Sequence, residues 1–326
     1  MTATVPVRAP TRGRFSVIVP SFQQAAFLAR TLQSIFAQDH ADVEIVVQDG
    51  GSTDGSVDIL KCYAACLQWE SRNDNGQTAA INAGLRKASG EFLCYLNSDD
   101  VLYPGALRKV SEYFVKHPDA EILYGMADFI DDEDRLIGPF PVQPWSYPSL
   151  LETNFICQPA CFWRRSIYER FGPFDETLHY TMDYEYWLRV GASTPFQFLS
   201  EPLAAARFHG ATKTFGQSRQ SHAEVIALLQ RYHYGRVPAR AIASYARHTA
   251  VAQLGKRRSR ATQRIRFAVA YWSKLLSLAP KVTKGGSRIL LQRIVPPYRN
   301  ACCRVEDPSG ALRRDLRQSE VRLSKS

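Results

Sequence analysis

The sequence is poor in the patterns that announce a metal cluster, an export signal or a membrane span. No Cys-x-x-Cys pair occurs, and Cys62, Cys66, Cys94, Cys157, Cys161, Cys302 and Cys303 fit no zinc-ligand spacing. They read as thiols of a reducing compartment rather than as a disulfide framework. No stretch approaches the ~20 apolar residues that a spanning helix needs. The longest candidate, Phe267 to Ala279, is too short and contains Lys274. Met1 to Arg14 hold no apolar core of the kind a secretory signal needs, so the expected location is cytoplasmic. No internal repeat is found, and the loop Pro20-Ser-Phe-Gln-Gln24 lacks the glycines of a phosphate-binding loop.

What is present is size and an uneven charge. With 326 residues, 45% of them hydrophobic, the chain can bury one large domain or a domain with an appendage. From Gly235 onward 21 Lys and Arg stand against 4 Asp and Glu, a surplus of 17; the residues before carry 20 against 27, a deficit of 7. An acidic body with a basic tail suits an anionic lipid surface, a nucleic acid or an acidic partner.

Along the body, strand and helix signals alternate. Phe15-Ser-Val-Ile-Val-Pro20 is a short β-branched run closed by proline and reads as a buried strand. Phe27, Leu28, Leu32, Ile35 and Phe36 follow at helical spacing. Val43 to Asp49 is the next strand, and a helix is expected from Ser52 through Leu60 and Tyr63. Ala79 to Ala88 is a third helix and Glu91 to Leu96 a third strand, running into Asn97-Ser-Asp-Asp100. The alternation predicts an α/β fold with a mostly parallel sheet flanked by helices. In such sheets ligands bind beyond the carboxyl ends of the strands. Pro20-Ser21, Asp49-Gly-Gly-Ser52 and Asn97 to Asp100 should therefore face one crevice. From about Ala211 the composition shifts to Ala-, Leu- and Arg-rich helical segments. There Ile265, Ala268, Val269, Trp272, Leu275, Leu276 and Ala279 share one helical face. Such a face lies either on an anionic membrane or against the body.

Several ordered motifs carry a family resemblance. Val17-Ile-Val-Pro-Ser-Phe22, Leu32 to Gln38, Glu44-Ile-Val-Val-Gln-Asp-Gly-Gly-Ser-Thr-Asp-Gly55, Asp74 to Asn82, Tyr95-Leu-Asn-Ser-Asp-Asp100, Gly172-Pro-Phe-Asp-Glu176 and Met182 to Arg189 resemble, in order, the family-two glycosyltransferases. The resemblance implies a GT-A fold over residues 14–215, a helical, basic extension over 216–326, and inverting transfer from a nucleotide-sugar, with UDP as nucleotide. The acceptor it implies is a sugar or lipid-linked hydroxyl in bacterial surface polysaccharide or glycolipid synthesis. It further implies peripheral attachment at the inner face of the plasma membrane. Nucleic acid is not an expected partner. The Gln-x-x-Arg-Trp signature of processive synthases is missing.

Residue by residue, the resemblance assigns the following roles. Asp99 ends the family's Asp-x-Asp motif, in which Asn97 replaces the first Asp, and would hold a divalent cation, Mn2+ or Mg2+. Hard cations prefer oxygen ligands, and the departing diphosphate gains charge that a cation offsets. Asp100 is a neighbouring metal candidate or a cap of the next helix. His209 is a further metal or diphosphate candidate, or an ordinary structural histidine. Asp49 would accept an N–H of a uracil-type base, or else be a turn aspartate before two glycines. Pro20 and Ser21 would border base and ribose, Asn97 and Ser98 the donor, and Asp74 and Gln77 would lie under the nucleotide or be plain loop polarity. Asp183 is the general base, or a carboxylate facing a helix dipole. Gln158-Pro159 and Trp163-Arg-Arg165 would frame the acceptor, with Arg164 or Arg165 meeting a phosphate or lying solvated on the surface. The competing reading is a non-catalytic, nucleotide-binding protein of the same fold whose basic tail binds a partner or nucleic acid. The joint presence of Asp49, Asp99 and Asp183 argues against it.

Overall fold

The expected first strand forms β1 (Thr11–Ser21), and every residue from Phe15 to Ser21 is buried. The computed structural model describes residues 11–40, 42–210, 218–233 and 237–252, with Val269, Tyr271, Ser273, Lys274 and Ser277. The chain divides into two units. One holds the residues up to Trp145 together with Phe155–Arg207; the other holds Ser146–Asn154 and the residues from Phe208.

In the first unit β2 (Val43–Asp49) and β4 (Gly90–Tyr95) flank β1 in parallel, and β3 (Gln68–Ser71) runs parallel outside β2. The crossovers are α1 (Leu28–Phe36), α2 (Ser56–Cys62) and α3 (Gln77–Lys87). The buried side of α1 is Leu28, Thr31, Leu32 and Ile35, the i, i+3, i+4, i+7 pattern of an amphipathic helix. Helix α3 lies so close to β1 that a Cβ on Gly84 would sit 2.4 Å from Ile18 Cγ2. Helix α2 begins four residues later than the sequence pattern suggested. Ser52 to Asp54 are consumed by a loop, and Asp54 Oδ1 accepts from the Ser56 N–H (3.0 Å) at the true start.

The rest of the unit is mixed. It comprises β5 (Val101–Leu102), α4 (Ala106–Lys116), β6 (Ile122–Ile130), β7 (Leu136–Pro139), β8 (Cys161–Arg164), α6 (Arg165–Phe171), α7 (Met182–Gly191) and β9 (Gln197–Arg207). Among the described residues the sheet has nine strands in the order β3-β2-β1-β4-β8-β6-β9-β5, with β7 on β6. Strand β8 enters antiparallel to both β4 and β6, while β9 runs parallel to β6. Helix α7 is buried almost all round and rests on aromatic rings. Phe174 stacks on Tyr186 (4.2 Å between centroids), Trp163 meets Trp187 (5.7 Å), and Trp145 stacks on Phe196 (4.4 Å).

The second unit is helical where described: α5 (Tyr147–Glu152), capped by Ser146 Oγ, then α8 (Ser218–Tyr232) and α9 (Ala239–Ala252). Ile226, Leu228, Leu229, Ile242 and Ala246 are buried. His222 Nε2 reaches Ser244 Oγ at 3.0 Å, and His233 Nε2 reaches the Leu151 carbonyl at 2.9 Å. The sequence reading did not anticipate that a helix from mid-chain, α5, joins this unit. The boundary expected after residue 215 falls in 211–217, outside the described residues. So does most of the apolar stripe from Ile265 to Ala279, of which Val269 is described and exposed.

Candidate active site

The loops after β1 and β2 are bonded to each other along their length. Gln23 N–H donates to Ser52 Oγ (2.8 Å), Gln24 N–H to Ser56 Oγ (3.0 Å) and Ala25 N–H to Asp54 Oδ2 (2.9 Å). Gln23 adopts a left-handed backbone (φ 55°) to make this approach. Phe22 projects from the end of β1, 60% exposed. A Cβ added to Gly50 would lie 3.2 Å from the Phe22 ring and 3.3 Å from each Asp74 oxygen, so these three residues surround one point. Asp74 itself is exposed, and its Oδ1 accepts from the Gly76 N–H at 2.8 Å.

Asp49 ends β2 as expected and is buried. Its Oδ2 accepts from the N–H groups of Gly51 (3.1 Å) and Ser52 (2.9 Å) and from Ser71 Oγ (2.6 Å); its Oδ1 accepts from Ser52 Oγ (2.6 Å). A carboxylate offers about four lone-pair directions. Oδ1 thus keeps acceptor capacity, while Oδ2 is committed to the turn. Ser21, one strand away, is buried with an Oγ that has no hydrogen-bond partner among the described residues.

The loop after β4 carries the acidic motif. Asn97 is an amide with both ends engaged. Its Oδ1 accepts from Gln77 Nε2 (2.6 Å), and its Nδ2 donates to Asp100 Oδ2 (3.0 Å) and Gln158 Oε1 (3.3 Å). Gln158 in turn donates to the Tyr95 carbonyl at 2.6 Å. Asp100 is buried, and its Oδ1 accepts from the Arg207 N–H at 2.8 Å. Burial, reinforced by the charge of Asp99, pushes its carboxyl up to about 8 against the opposing bonds from Arg207 and Asn97. Asp99 is half-buried beside it, and Ser98 is buried. Arg207 Nε donates to the Asp99 carbonyl at 2.7 Å, so the end of β9 holds the loop from behind.

Asp183 stands in the first turn of α7, half-buried, where the helix dipole favours a carboxylate. Glu185 is buried and forms a two-point pair with Arg189: Nε to Oε1 at 2.9 Å and Nη2 to Oε2 at 3.0 Å. Arg189 also donates to the carbonyls of Phe171 and Pro173 (2.9 Å for the latter). From the other side Asn82 of α3 bonds both main-chain groups of Phe174, and Thr78 Oγ1 donates to the Leu178 carbonyl at 3.0 Å. The Gly172 to Leu178 segment is thereby fastened between α3 and α7.

One electrostatic neighbourhood joins these pieces. The buried Tyr95 hydroxyl and Cys157 thiol are both raised by burial first. To that, Asp183 and Asp100 each add a negative charge felt by both groups. Asp100 and Asp183, remote in sequence, thus act on the same two side chains, one at the end of β4 and one before β8. Pro20, Ser21, Asp49, Asn97, Ser98, Asp99 and Asp100 all lie at the carboxyl ends of β1, β2 and β4, with Asp74 and Gln77 on the approach to α3. His209 belongs to the second unit. Among the described residues no group of three or more His, Cys, Asp or Glu side chains converges as a metal centre.

Arg164 and Arg165 are engaged within the protein rather than solvated on its surface. Arg164 pairs with Glu91 (2.5 Å), donates to the carbonyls of Ala120 and Phe114, and lies over the rings of Phe92 and Phe114. Arg165 is buried and donates to the Gly90 carbonyl at 2.8 Å. In the register of β8 on β4, Arg164 lies opposite Phe92. Both arginines therefore serve the amino end of β4, away from the crevice. Three residues that the sequence reading did not single out matter more. Phe22 and Asn82 lay inside the matched motifs, and Arg207 stood as a lone charge closing the apolar run Leu203-Ala-Ala-Ala206.

An α/β sheet flanked by helices, with polar loops gathered at the carboxyl ends of its parallel strands, is a GT-A-like fold. The chain belongs to glycosyl transferase family 2, whose model matches residues 16–172. It is 32% identical over 180 residues to the PGL/p-HBAD biosynthesis glycosyltransferase of Mycobacterium bovis, covering 54% of this chain and 68% of that one. Among solved structures it resembles S. aureus TarS in complex with UDP-GlcNAc, with a TM-score of 0.60 at 16% identity over 94% of this chain and 91% of that one. It also resembles the mannosyltransferase PcManGT of Pyrobaculum calidifontis in complex with GDP-Man and Mn2+, with a TM-score of 0.50 at 15% identity over 95% and 88%. The longer TarS chain is spanned to 54% of its length. At these identities the structures speak for the fold alone. No helix among the described residues is long and apolar enough to cross a membrane.

Proposed function

We propose that the chain is a metal-dependent, inverting glycosyltransferase that moves a sugar from a UDP-sugar to an acceptor hydroxyl, in bacterial glycolipid or surface-polysaccharide synthesis. The observation that carries this reading is the acidic loop Asn97 to Asp100 at the carboxyl end of β4, beside the Asp49 turn that ends β2; the charges of Asp100 and Asp183 both bear on the buried Tyr95 and Cys157, which supports a common site. The named ligands of TarS and the named pathway of the mycobacterial relative support the choice of donor and product class.

The nucleotide base would rest against the exposed ring of Phe22, with Gly50 giving it room and Asp49 Oδ1 accepting its N–H. Pro20, Ser21 and Ser98 would line the ribose and sugar side, and Gln77 and Asn97 would hold the floor. The donor set fits a cation in a limited way. Asp100 has both oxygens engaged by Arg207 and Asn97, and Asn97 has both ends engaged; Asp99, which ends the motif, is the carboxylate assigned to the cation. One carboxylate completed by substrate phosphates and water is a common Mg2+ or Mn2+ arrangement. When bound, the ion offsets the charge that builds on the diphosphate as it leaves. Asp183 takes the proton from the acceptor hydroxyl as its oxygen bonds to the anomeric carbon and the bond from that carbon to the diphosphate breaks. The catalytic part is assigned to residues 14–215 and the helical extension to 216–326. The extension's 21 basic against 4 acidic residues, counted from Gly235, support peripheral contact with anionic lipid. Flotation with anionic vesicles tests that contact.

The test of the activity is a panel of nucleotide-sugars with and without Mn2+, reading hydrolysis and release of UDP, with the Asp99→Ala and Asp183→Asn chains as controls. Metal-independent release that both variants retain would overturn the reading.

A further inference from the structure

The turn between β6 and β7, Asp131 to Arg135, lies outside every motif that carries the family resemblance, yet Arg207 ties it to the loop bearing Asp99. Asp131 builds the turn from inside, its Oδ1 accepting from the N–H groups of Glu133 (3.0 Å) and Arg135 (2.9 Å). Asp134 closes it with φ at 65°, in the left-handed region that non-glycine residues seldom occupy, though Asp tolerates it better than most. Its two carboxylate oxygens serve two different arginines. Oδ2 accepts from Arg30 Nη1 at 2.8 Å, and Oδ1 pairs with Arg207 Nη2. The same two guanidiniums share one ring, their central carbons lying 5.2 Å and 5.1 Å from the centre of Phe27.

Arg207 has a side-chain exposure of 0%. A buried charge is tolerated where it is paired and hydrogen-bonded, and costly where a partner is removed. Three further bonds of Arg207 run to the acidic loop and the turn: Nε to the Asp99 carbonyl (2.7 Å), its N–H to Asp100 Oδ1 (2.8 Å) and Nη1 to the Asp131 carbonyl (2.7 Å). Asp134 therefore stands at one end of a rigid chain of contacts whose other end is the backbone of Asp99. Without its charge, two guanidiniums face each other around Phe27, and the fork of Arg207 loses its carboxylate while keeping carbonyl partners at Nε and Nη1.

We propose that Asp134 is a positioning residue for metal-dependent donor binding: by pairing with Arg207 it fixes the backbone of Asp99, and so the turn between β6 and β7 sets affinity in the crevice. The inference rests on the reading of Asp99 as the carboxylate facing the diphosphate and its cation. A strained aspartate shared between two arginines, one of them wholly buried, is more than a turn needs; glycine would make the turn without strain.

The experiment measures UDP affinity by calorimetry on the full chain, with and without Mn2+, for the parent, Asp134→Asn, Asp134→Gly and Asp99→Ala. Asn keeps tolerance of the left-handed backbone and removes the charge; Gly removes both strain and carboxylate. Both should weaken Mn2+-dependent UDP binding about tenfold, the scale of one lost charged hydrogen bond. Both should leave metal-free UDP affinity at the parent's value, and Gly should match or exceed Asn in thermal midpoint. Parent-like affinity in Asp134→Gly, or an equal loss with and without Mn2+, would overturn the proposal and leave Asp134 a turn residue. Parent-like affinity in Asp134→Asn while Asp99→Ala has lost it would overturn this inference alone. A parent chain without metal-dependent UDP binding, or an Asp99→Ala that binds as the parent does, overturns the donor-site reading and this inference with it.

Discussion

Asn82 and Phe174 exchange two hydrogen bonds: Nδ2 of the amide donates to the Phe174 carbonyl and the Phe174 N–H donates back to Oδ1, each at 3.0 Å. One side chain of α3 thus takes the place of a neighbouring strand for the segment that leads into α7. Its Nδ2 also reaches Glu176 Oε1 at 2.9 Å. The consequence is that α3 and the segment leading into the helix bearing Asp183 are fastened by this amide together with the Thr78 bond to Leu178.

Replacing Asn82 by Ala should therefore cost about 2–4 kcal/mol, because it leaves a buried N–H and a buried carbonyl without partners. Chemical denaturation measures the loss. Turnover should fall with it, while Asn82→Asp, which keeps one of the two bonds, should lie between.

Asp99→Ala should abolish Mn2+-dependent UDP binding and leave the thermal midpoint within about 1 °C of the parent, since a half-exposed polar side chain off the core contributes little to stability. The parent should bind Mn2+ weakly in the absence of UDP, because the phosphates must supply the remaining ligands. Calorimetry of Mn2+ alone, of UDP alone and of both together separates these terms. Tight binding of Mn2+ alone would point to another carboxylate.

Asp183→Asn should lower kcat by about 10² to 10⁴, the usual worth of general-base assistance, and spare UDP affinity. Glu185, the nearest other carboxylate in α7, should behave in the opposite way. Its two-point pair with Arg189 makes it a strut, so Glu185→Gln should lower stability and leave the shape of the pH–rate profile unchanged. Turnover, profile and midpoint measured on both variants distinguish base from strut.

Asn97→Asp restores a carboxylate at the position where the family motif begins with one. It also removes the Nδ2 donor that Asp100 and Gln158 receive and places a third carboxyl beside Asp99 and Asp100. The variant should lose about 1–3 kcal/mol in metal-free buffer, the range for unsatisfied buried polar groups. It should regain part of that on addition of Mn2+ and UDP. A variant as stable as the parent without metal would contradict the role given to the amide.

On acidification the loop after β2 should hold until the pH has fallen below the ordinary carboxylate range, and loosen there. Asp54 is held below the usual carboxylate range: burial raises it, but the bonds from Ala25 and Ser56 outweigh that. A depressed folded value means the stability it contributes is present above the unfolded value of about 3.9 and is lost as pH falls through the folded one. Asp54→Asn should therefore narrow the stability difference between pH 7 and pH 3. An unchanged pH slope would show that the carboxylate contributes nothing there.

Much of the first hundred residues was legible in advance because local pattern and tertiary outcome agree there. The Phe15–Pro20 run can only be a buried strand, and the loops that follow β1, β2 and β4 are read by topology. Asp183 opening a helix was legible through its motif. The start of α2 was misjudged because Ser52, Thr53 and Asp54, ordinary capping residues, are spent on the loop after β1 instead. Strand β8 left no clear alternation, since both its faces are buried, and β9 left none because its first half is open and its second half buried on both faces; the partners of both come from distant sequence. The roles of Arg164, Arg165 and Arg207 were hidden for a related reason: a charged side chain buried among carbonyls is chosen by the packing around it, which no local pattern records.

Strand β8 lies between β4 and β6 although the chain makes it after both. The parallel set β3-β2-β1-β4 is complete by Tyr95, but the open side of β4 waits for Cys161–Arg164. At roughly 5–20 residues per second, the ~66 residues between them occupy a ribosome for about 3–13 s. During that interval the open side of β4 has no partner in the growing chain, and an unpaired strand edge is the feature that other chains add to most readily. The step that seats Phe162 and Trp163 is therefore also the step that ends this exposure. Substitutions that delay it would reduce the yield of folded chains at synthesis while leaving the finished molecule as active as before.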